Sequence, residues 1–326
     1  MKYISLLRAT EDDGIHILNW RNDPTVQSNF FDSRRISFEE HMRWYKEKLR
    51  DPDAALYISR YGNDRIGVIR FEKKKAAVSV SVNVAPHLIG KGFGSEIIRL
   101  GTERYYAETK QNVPVVAEIK IENISSQKAF RKAGYNKKTK DKAKIVFIRK
   151  PEDTCIRDKE ICFLPLQQKH INKIYLGWLN DPDVTKYLET KKSTEEELKT
   201  YYKNILGNIN VMIFAIEVRK RHIGNAKLEV NWKHGYANFG IMIGDKKEWG
   251  KGYGARVARL IADYAINRLN LYSVILGVYG NHTAAIRSYI KAGFHIKGRM
   301  RGMLDFEGKR VDKVFMGISR KELEVR

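Results

Sequence analysis

Hydrophobic and polar residues alternate along several short stretches of the chain, and this alternation is typical of half-buried β-strands. Residues 78–84 read Val-Ser-Val-Ser-Val-Asn-Val, and residues 236–243 occupy a similar place in the second half. Apolar runs precede them at 56–59 and 66–71 in the first half and at 211–218 and 223–230 in the second. Each half is therefore predicted to contain an antiparallel meander of strands.

Helices are predicted between these strands from capping sequences. Ser37 is followed by Glu40, and Thr194 is followed by Glu197, which is the spacing of a capping box at the start of a helix. A further helical run at 255–265 follows the strand-like residues 236–243. The pattern thus combines strands and helices in both halves.

The two halves look like copies of each other. Trp20 and Trp178, each in a Trp-x-Asn-Asp-Pro sequence, lie 158 residues apart, and Gly90 and Gly250 lie 160 apart. A period of this length indicates a duplicated domain rather than a solenoid of short repeats. We expect domains at 1–150 and 161–326, joined by a polar linker at 151–160.

A glycine-rich loop stands between the third strand of each meander and the next helix. The loop reads Gly-Lys-Gly-Phe-Gly at 90–94 and Gly-Lys-Gly-Tyr-Gly at 250–254. Glycine lets the main chain approach an anion closely, and the N–H groups at a helix start attract phosphate. Such a loop is also an ordinary tight turn, but its occurrence in both halves favours phosphate binding.

Charge and cysteine content narrow the choice of partners. The formal net charge is +23, and residues 1–150 carry +12 of it (30 basic minus 18 acidic residues), so the charge is spread over both halves. This charge favours an anionic ligand without choosing one.

Cys155 and Cys162 make neither a disulfide framework nor a zinc site, so we expect no metal and a reducing cytoplasm. No apolar run is long enough to span a membrane, and the first residues lack the pattern of a signal peptide.

Taken together, the meander, glycine loop, helix, strand and the sequence around Gly134 and Gly293 resemble the GCN5-related N-acetyltransferase (GNAT) family, twice. The resemblance covers nearly the whole chain. It implies an α+β fold with two tandem domains, each a mostly antiparallel, twisted sheet of six to seven strands flanked by about four helices. It also implies that acetyl-CoA is the co-substrate and that an acetyl group passes to an amine.

The resemblance also implies which residues contact the coenzyme. In the second half they are Trp249, Gly250, Lys251, Gly252, Tyr253, Gly254, Asn281 and His282. In the first half they are Gly90, Lys91, Gly92, Phe93, Gly94 and Asn123. Tyr289 matches the family's general acid beside the coenzyme sulfur, although it is also a suitable core aromatic.

Departures from the family pattern make the second half the expected active half. The first half has Phe130 at the acid position, and phenylalanine has no proton to donate. The second half has His282 where the family usually has asparagine, with Asn281 just before it. His41 resembles a candidate base of amino-sugar acetyltransferases of the pseudaminic-acid pathway, and its alternative is an exposed helix histidine.

The base of the second half is less defined by the sequence. Glu217 and Glu229 lie on predicted meander strands, where bases of the family occur, and a water chain is the alternative. We select Glu229 as the candidate.

Three functions are compatible with these features. The first is acetylation of a small-molecule amine, most naturally an anionic, nucleotide-linked amino sugar, because a surface of this charge would repel a polyamine. The second is a protein or peptide N-acetyltransferase, acting near ribosomes or nucleic acid. The third is a non-catalytic module that binds an anion or RNA. A homodimer formed through the closing strands is compatible with all three, and no membrane partner is expected.

Overall fold

The computed structural model describes residues 4–140, 143–154, 156–189 and 192–324. It divides into two compact units. The first comprises Met1–Tyr106 and Gln111–Thr154, and the second comprises Ala107–Lys110 and Cys155–Arg326. The domain boundaries expected from the sequence, at residues 150 and 161, stay a prediction.

The first unit is a seven-stranded sheet in the order β1-β2-β3-β4-β5-β7-β6. Its strands are β1 (Ile4–Arg8), β2 (Ala54–Tyr61), β3 (Asp64–Lys73), β4 (Val78–Val84), β5 (Val115–Lys120), β6 (Asn136–Lys140) and β7 (Lys144–Arg149). Its helices are α1 (Gly14–Arg21), α2 (Pro24–Gln27), α3 (Phe38–Arg50), α4 (Phe93–Thr109) and α5 (Ile124–Lys132). All neighbouring strands are antiparallel except β4 and β5, which run parallel.

The second unit repeats this arrangement with an eight-stranded sheet in the order β14-β15-β13-β12-β11-β10-β9-β8. Its strands are β8 (Ile156–Asp158), β9 (Ile161–Pro165), β10 (Val211–Val218), β11 (Arg221–Asn231), β12 (Tyr236–Ile243), β13 (Ser273–Tyr279), β14 (His295–Phe306) and β15 (Lys309–Ser319). Its helices are α6 (Lys173–Leu179), α7 (Pro182–Thr185), α8 (Glu195–Gly207), α9 (Tyr253–Asp263), α10 (Thr283–Ala292) and α11 (Arg320–Glu324). Here β12 and β13 are the parallel pair.

The predicted mixed fold of two mostly antiparallel sheets is confirmed, with one difference in the second sheet. That sheet has eight strands rather than six to seven, because residues 156–158 form β8 and pair with β9. These residues fall in the segment expected to be a linker. Its polar composition hid the strand, since only Ile156 of β8 is buried. Cys155 lies outside the described residues, and Cys162 is a free thiol.

Alternation along the central strands gives each sheet two different faces. In β4, Val78 and Val80 are buried against Ile97 and Ile98 of α4. The opposite face of this sheet packs on α1 and α3, where Trp20 joins a second apolar cluster. The second unit is built alike, with α9 on one face of the sheet and α6 and α8 on the other. Burial of these apolar faces stabilises each unit by about 25 cal/mol for every Å² removed from water.

The capping sequences form the helix starts that they predict. The Ser37 hydroxyl accepts a hydrogen bond from the Glu40 N–H (3.2 Å) at the start of α3. Thr194 and Glu197 form a reciprocal capping box at the start of α8. Each cap satisfies N–H groups that the helix itself leaves without acceptors.

The parallel pair of strands separates in both units. Pairing of β4 with β5 is restricted to Val78 and Ser79 on β4, and pairing of β12 with β13 ends at Asn238. Beyond these points the strands diverge, so one backbone edge of residues 239–243 has no strand beside it among the described residues. Such an edge is able to accept an extended ligand as an added strand.

Candidate active site

The two glycine loops have the same backbone geometry. Gly250 and Gly252 have φ angles of +76° and +82°, and Gly90 and Gly92 have φ angles of +81° and +84°. These left-handed conformations are favourable for glycine alone. A side-chain carbon placed on any of the four would meet no atom within 4 Å, so the loops face open space. Because α4 and α9 begin directly after them, both loops direct N–H groups towards an incoming anion.

The second loop is held by a buried carboxylate that sequence reasoning missed. Glu248 is 5% exposed, and its Oε2 atom lies 2.9 Å from the Lys251 Nζ atom. Arg221 forms a second ion pair with Glu248. The first loop has Leu88 at the position that corresponds to Glu248, 160 residues earlier. Lys251 is therefore positioned by an ion pair that the first loop lacks.

Two aromatic residues, Trp249 before this loop and Tyr253 within it, fix the loop to its neighbours. The Trp249 Nε1 atom donates a hydrogen bond to the Ile243 carbonyl (2.8 Å), which fixes the loop to the end of β12. Tyr253 is buried, and its hydroxyl donates to the Glu160 Oε1 atom (3.2 Å). The Tyr253 side chain thus anchors the start of α9 to the β8–β9 turn, while Trp249 remains 44% exposed beside the loop.

Tyr289 lies on α10 in a half-buried, apolar environment. Its ring centroid is 6.3 Å from that of Phe239 and 6.0 Å from that of Phe294. Burial raises the pKa of its hydroxyl to about 12, so the group stays protonated at neutral pH. In the part of the chain that the structure describes, this hydroxyl has no hydrogen-bond partner. Phe130 occupies the corresponding place in the first unit and is 3% exposed.

The residues at the start of α5 and α10 differ in role. Asn123 caps α5, because its Oδ1 atom accepts from the Ser126 N–H at 3.0 Å. His282 precedes α10 without such a cap and stacks on Tyr187, with ring centroids 3.9 Å apart. Burial lowers the pKa of the His282 imidazole, which keeps it neutral. Asn281 is exposed. Tyr187 carried no motif, so the sequence could not identify it.

A cavity of about 770 Å³ opens on the second sheet near the point where β12 and β13 separate. Its polar lining consists of Glu189, Asn210, Glu229, Asn231, Lys233, Asn238 and Lys313. Phe239 also lines it, and Phe239 contacts Tyr289. The cavity and the predicted acid are therefore separated by a single aromatic ring.

Charged groups of both signs face this cavity. Glu229 forms an ion pair with Lys227, and the hydrogen bond from Lys227 lowers the pKa of the Glu229 carboxyl. The Lys313 Nζ atom lies 5.5 Å from the Phe315 ring centroid. No carboxylate of the described residues is within ion-pair distance of Lys313 or of Lys233. Glu217 does not line the cavity, and its Oε1 atom lies 3.4 Å from the His170 Nε2 atom.

His41, the candidate base of the first unit, lies inside the helical layer. It is 3% exposed, and its Nε2 atom is 3.0 Å from the Gly14 carbonyl oxygen. Its ring stacks on Tyr45, and burial lowers the pKa of the imidazole. His41 is absent from the lining of the first unit's cavity. The alternative, an exposed helix histidine, does not describe this buried position, and the role of His41 as a base stays a prediction.

The first unit has a larger cavity, of about 1070 Å³. Residues predicted to bind the coenzyme form one part of its lining: Gly90, Gly92, Gly94 and Asn123. Phe130 lines it as well. The first unit therefore has the space for a ligand at its glycine loop but no tyrosine hydroxyl beside it.

Two absences concern the described residues only. Their His, Cys, Asp and Glu side chains form no group of three or more that could hold a metal ion. None of their helices is long and apolar enough to cross a membrane.

Comparisons with known proteins show what the chain is similar to. The family model for the acetyltransferase (GNAT) domain matches residues 4–136 and again residues 160–295. A spermidine N(1)-acetyltransferase of Escherichia coli K12 is 32% identical over 137 residues, covering 42% of this chain and 73% of that protein. A probable N-acetyltransferase of Bacillus subtilis, YjcK, is 36% identical over 64 residues, covering 20% of this chain and 35% of the relative. The crystal structure of Vibrio cholerae spermidine N-acetyltransferase in complex with CoA and spermine is 22% identical and covers 51% of this chain and 99% of that chain, with a TM-score of 0.48.

Two sheets with separating parallel strands, each followed by a glycine loop and a helix, define a tandem acyltransferase fold. Because the family model matches most of the chain, the protein belongs to the GCN5-related N-acetyltransferase family, with two copies of its domain. It is an acetyl-CoA-dependent N-acetyltransferase that acts on an amine.

Proposed function

We propose that the second unit is the catalytic half, and that it acetylates a primary amine on a small molecule that also carries an anionic group. A nucleotide-linked amino sugar is the acceptor that we favour. The observation that carries the proposal is the position of Tyr289. Its protonated hydroxyl has no hydrogen-bond partner among the described residues and lies one aromatic ring from a polar cavity, at the point where β12 and β13 separate.

This arrangement supports direct transfer. Acetyl-CoA supplies the thioester, and the N–H groups after Gly252 with Lys251 bind its phosphates. The acceptor nitrogen forms a bond to the carbonyl carbon, and the carbon–sulfur bond breaks. Tyr289 gives its proton to the leaving thiolate and regains one from solvent. Before the attack, the acceptor ammonium loses one proton through a base or a water chain, and the nitrogen loses a second proton to solvent as the amide forms.

Glu229 is the base that we propose. It lines the cavity, and its lowered pKa keeps it ionised at neutral pH, so it attracts the acceptor ammonium. The same ion pair with Lys227 makes it a weak base, which favours proton transfer through water rather than by direct contact.

The cavity lysines support an anionic group on the acceptor. Among the described residues, Lys313 and Lys233 have no carboxylate partner, whereas Glu229 is already paired with Lys227. An acceptor could place its amine beside Glu229 and its phosphate beside Lys313. Each charged group of the acceptor would then lie next to a side chain of opposite charge. A polyamine is the second candidate, because the Escherichia coli relative is a spermidine acetyltransferase and Glu189 and Glu229 both line the cavity.

The catalytic assignment is tested by Tyr289→Phe, which removes one oxygen atom and keeps the ring. We expect kcat to fall by about 10²-fold or more, as for the loss of a general acid, with the Kd of acetyl-CoA unchanged. Tyr279→Phe is the matched control, because Tyr279 is a tyrosine of the same unit outside the cavity lining. Full turnover by Tyr289→Phe would contradict the assignment.

The acceptor is tested by measuring CoA release with three kinds of amine. We expect turnover with UDP-linked amino sugars, and we expect Lys313→Met to raise their KM. Turnover with spermidine alone would establish the second candidate, and turnover with N-terminal peptides alone would indicate a peptide acetyltransferase. If none of these amines causes CoA release and the protein binds RNA in a salt-sensitive way, the result would favour the non-catalytic module.

A further inference from the structure

We propose that the cavity of the first unit contains a binding site for an oxyanion that carries a neighbouring hydroxyl group, built by Arg21 and Asn83. Sugar phosphates and hydroxy acids share this chemistry. The site lies at the end of α1 and on β4, and it is separate from the catalytic site proposed for the second unit.

Arg21 is a buried cation with unused hydrogen-bonding capacity. It is 9% exposed, lines the cavity and has its guanidinium carbon 4.2 Å from the centroid of the Phe30 ring. One terminal nitrogen, Nη2, donates to the Asp32 carbonyl. The other, Nη1, is buried and has no partner in the described part of the chain. A buried guanidinium N–H without an acceptor is costly, and an oxyanion in the cavity would satisfy it.

Asn83 presents a second unused group in the same cavity. It is 7% exposed, and its Oδ1 atom is buried without a donor among the described residues. The serines that precede it on the same face of β4, Ser79 and Ser81, line the cavity too. An amide oxygen needs an O–H or N–H donor, so the ligand should carry a hydroxyl beside its anionic group.

The neighbouring charges do not neutralise Arg21. Within the lining, Arg70 is paired with Glu72 (3.2 Å), and Asp32 is paired with Arg34 (2.9 Å). No carboxylate of the described residues forms an ion pair with Arg21. Burial lowers the pKa of the guanidinium, and the negative charge of Asp32, which is shared with Arg34, offsets this only in part.

The second unit lacks both groups at the corresponding places. The Trp20–Trp178 repeat aligns Arg21 with Leu179. The strand register aligns Asn83 with Met242, because Gly67 pairs with Val84 in the first sheet and Gly224 pairs with Ile243 in the second. The oxyanion site therefore belongs to the first unit, where Phe130 replaces the tyrosine.

The test is calorimetric titration of the full-length protein with glucose 1-phosphate, gluconate, inorganic phosphate and glucose. A Lys313→Met background removes the anionic subsite proposed for the second unit, so the two proposals fail separately. We expect one binding event per chain that depends on Arg21, with glucose 1-phosphate or gluconate tighter than inorganic phosphate and with no binding of glucose. Tighter binding of glucose 1-phosphate than of gluconate indicates a phosphate site, and the reverse order indicates a carboxylate site.

Arg21→Leu, which installs the residue of the second unit, should weaken binding by roughly 10-fold or more, as for loss of a charge-assisted hydrogen bond. Arg35→Leu makes the same change in net charge at an exposed position outside the cavity and should leave binding unchanged. Asn83→Met should weaken glucose 1-phosphate but not inorganic phosphate. Asn83→Met should also keep the fold, because it removes a buried group that has no partner among the described residues. If Arg21→Leu misfolds, the Asn83→Met result decides whether the site exists. Absence of binding in the Lys313→Met background, or equal binding by Arg21→Leu and Arg35→Leu, would overturn the site.

Discussion

Tyr289 and Phe130 occupy corresponding positions in two copies of one fold, and they differ by a single oxygen atom. The sequence was sufficient to predict this difference, because the repeat aligns them. The surroundings of each ring had to come from the structure. Phe130 lines the cavity of the first unit, and its ring centroid lies 5.0 Å from that of Tyr135. Tyr289 adjoins Phe239, which lines the cavity of the second unit.

The structure changed the interpretation of other residues, because it shows which neighbours they contact. His41 was a candidate base in the sequence, and the structure shows its Nε2 atom against the Gly14 carbonyl. Glu248 carried no motif, yet it forms the ion pair that positions Lys251. Such contacts join residues whose mutual distance is set by the packing of whole elements, so a local pattern does not reveal them.

Glu248→Gln tests the positioning of Lys251. Without the carboxylate, Lys251 and Arg221 lose their shared counter-ion and the loop becomes less ordered. We expect KM for acetyl-CoA to rise by roughly 10- to 150-fold, the cost of a hydrogen bond to a charged group, with a smaller change in kcat. Glu196→Gln, at an exposed position on α8, is the control. A large fall in kcat at unchanged KM would contradict a positioning role.

His41→Gln tests whether His41 packs or catalyses. Because burial lowers the pKa of the native imidazole below 6.5, the unfolded chain takes up a proton more readily as the pH falls. The native protein should therefore lose stability below about pH 6.5, and His41→Gln should lose less between pH 7 and pH 5. Denaturant unfolding at each pH measures this difference. A large loss of turnover by His41→Gln at a pH where its stability equals that of the native protein would instead indicate a catalytic base.

At the scale of elements, the strand–loop–helix segment forms the recognisable part of the site. Its glycines, its capping residues and the alternation of β4 were all interpretable because they act within a few residues of each other. The β8 strand was missed for the opposite reason. A three-residue edge strand with one buried side chain has too little pattern to outweigh its polar composition.

Substituting the glycine loops tests which unit binds the coenzyme. Valine at Gly252 or Gly92 would strain a left-handed backbone and place methyl groups where phosphate approaches. We expect the native chain to bind acetyl-CoA at the second loop with the higher affinity, and Gly252→Val to remove that site while Gly92→Val retains it. Calorimetric titration gives the number of acetyl-CoA molecules bound per chain, so it reports on both loops in one experiment. The opposite result for the two variants would transfer the catalytic role to the first unit.

At the scale of the whole molecule, the net charge of +23 acts on every anionic ligand. The field of a basic surface raises the local concentration of acetyl-CoA and of an anionic acceptor, and dissolved salt screens it. The same charge opposes pairing of two copies, so the homodimer stays a prediction for light scattering.

Varying the ionic strength tests this contribution. Raising salt from about 20 to 300 mM shortens the screening length several-fold, so kcat/KM for acetyl-CoA should fall while kcat stays nearly constant. An amino-sugar nucleotide should show the same fall, and an amine acceptor that carries no anionic group should not. Equal salt dependence for charged and neutral acceptors would exclude attraction by the surface field.

The sequence by itself determined the duplicated mixed fold, the position of both glycine loops, the helix starts and the asymmetry between Tyr289 and Phe130. These features depend on residue type and on spacing along the chain. The tertiary structure alone decided that Glu229 shares a cavity with Lys313 and that His282 stacks on Tyr187. It also decided that the Arg21 Nη1 and Asn83 Oδ1 atoms are buried with no hydrogen-bond partner among the described residues. The physical reason is that burial and pairing depend on which elements pack together, and residues distant in the chain supply the neighbours that decide whether a polar group is satisfied, desolvated or available to a ligand.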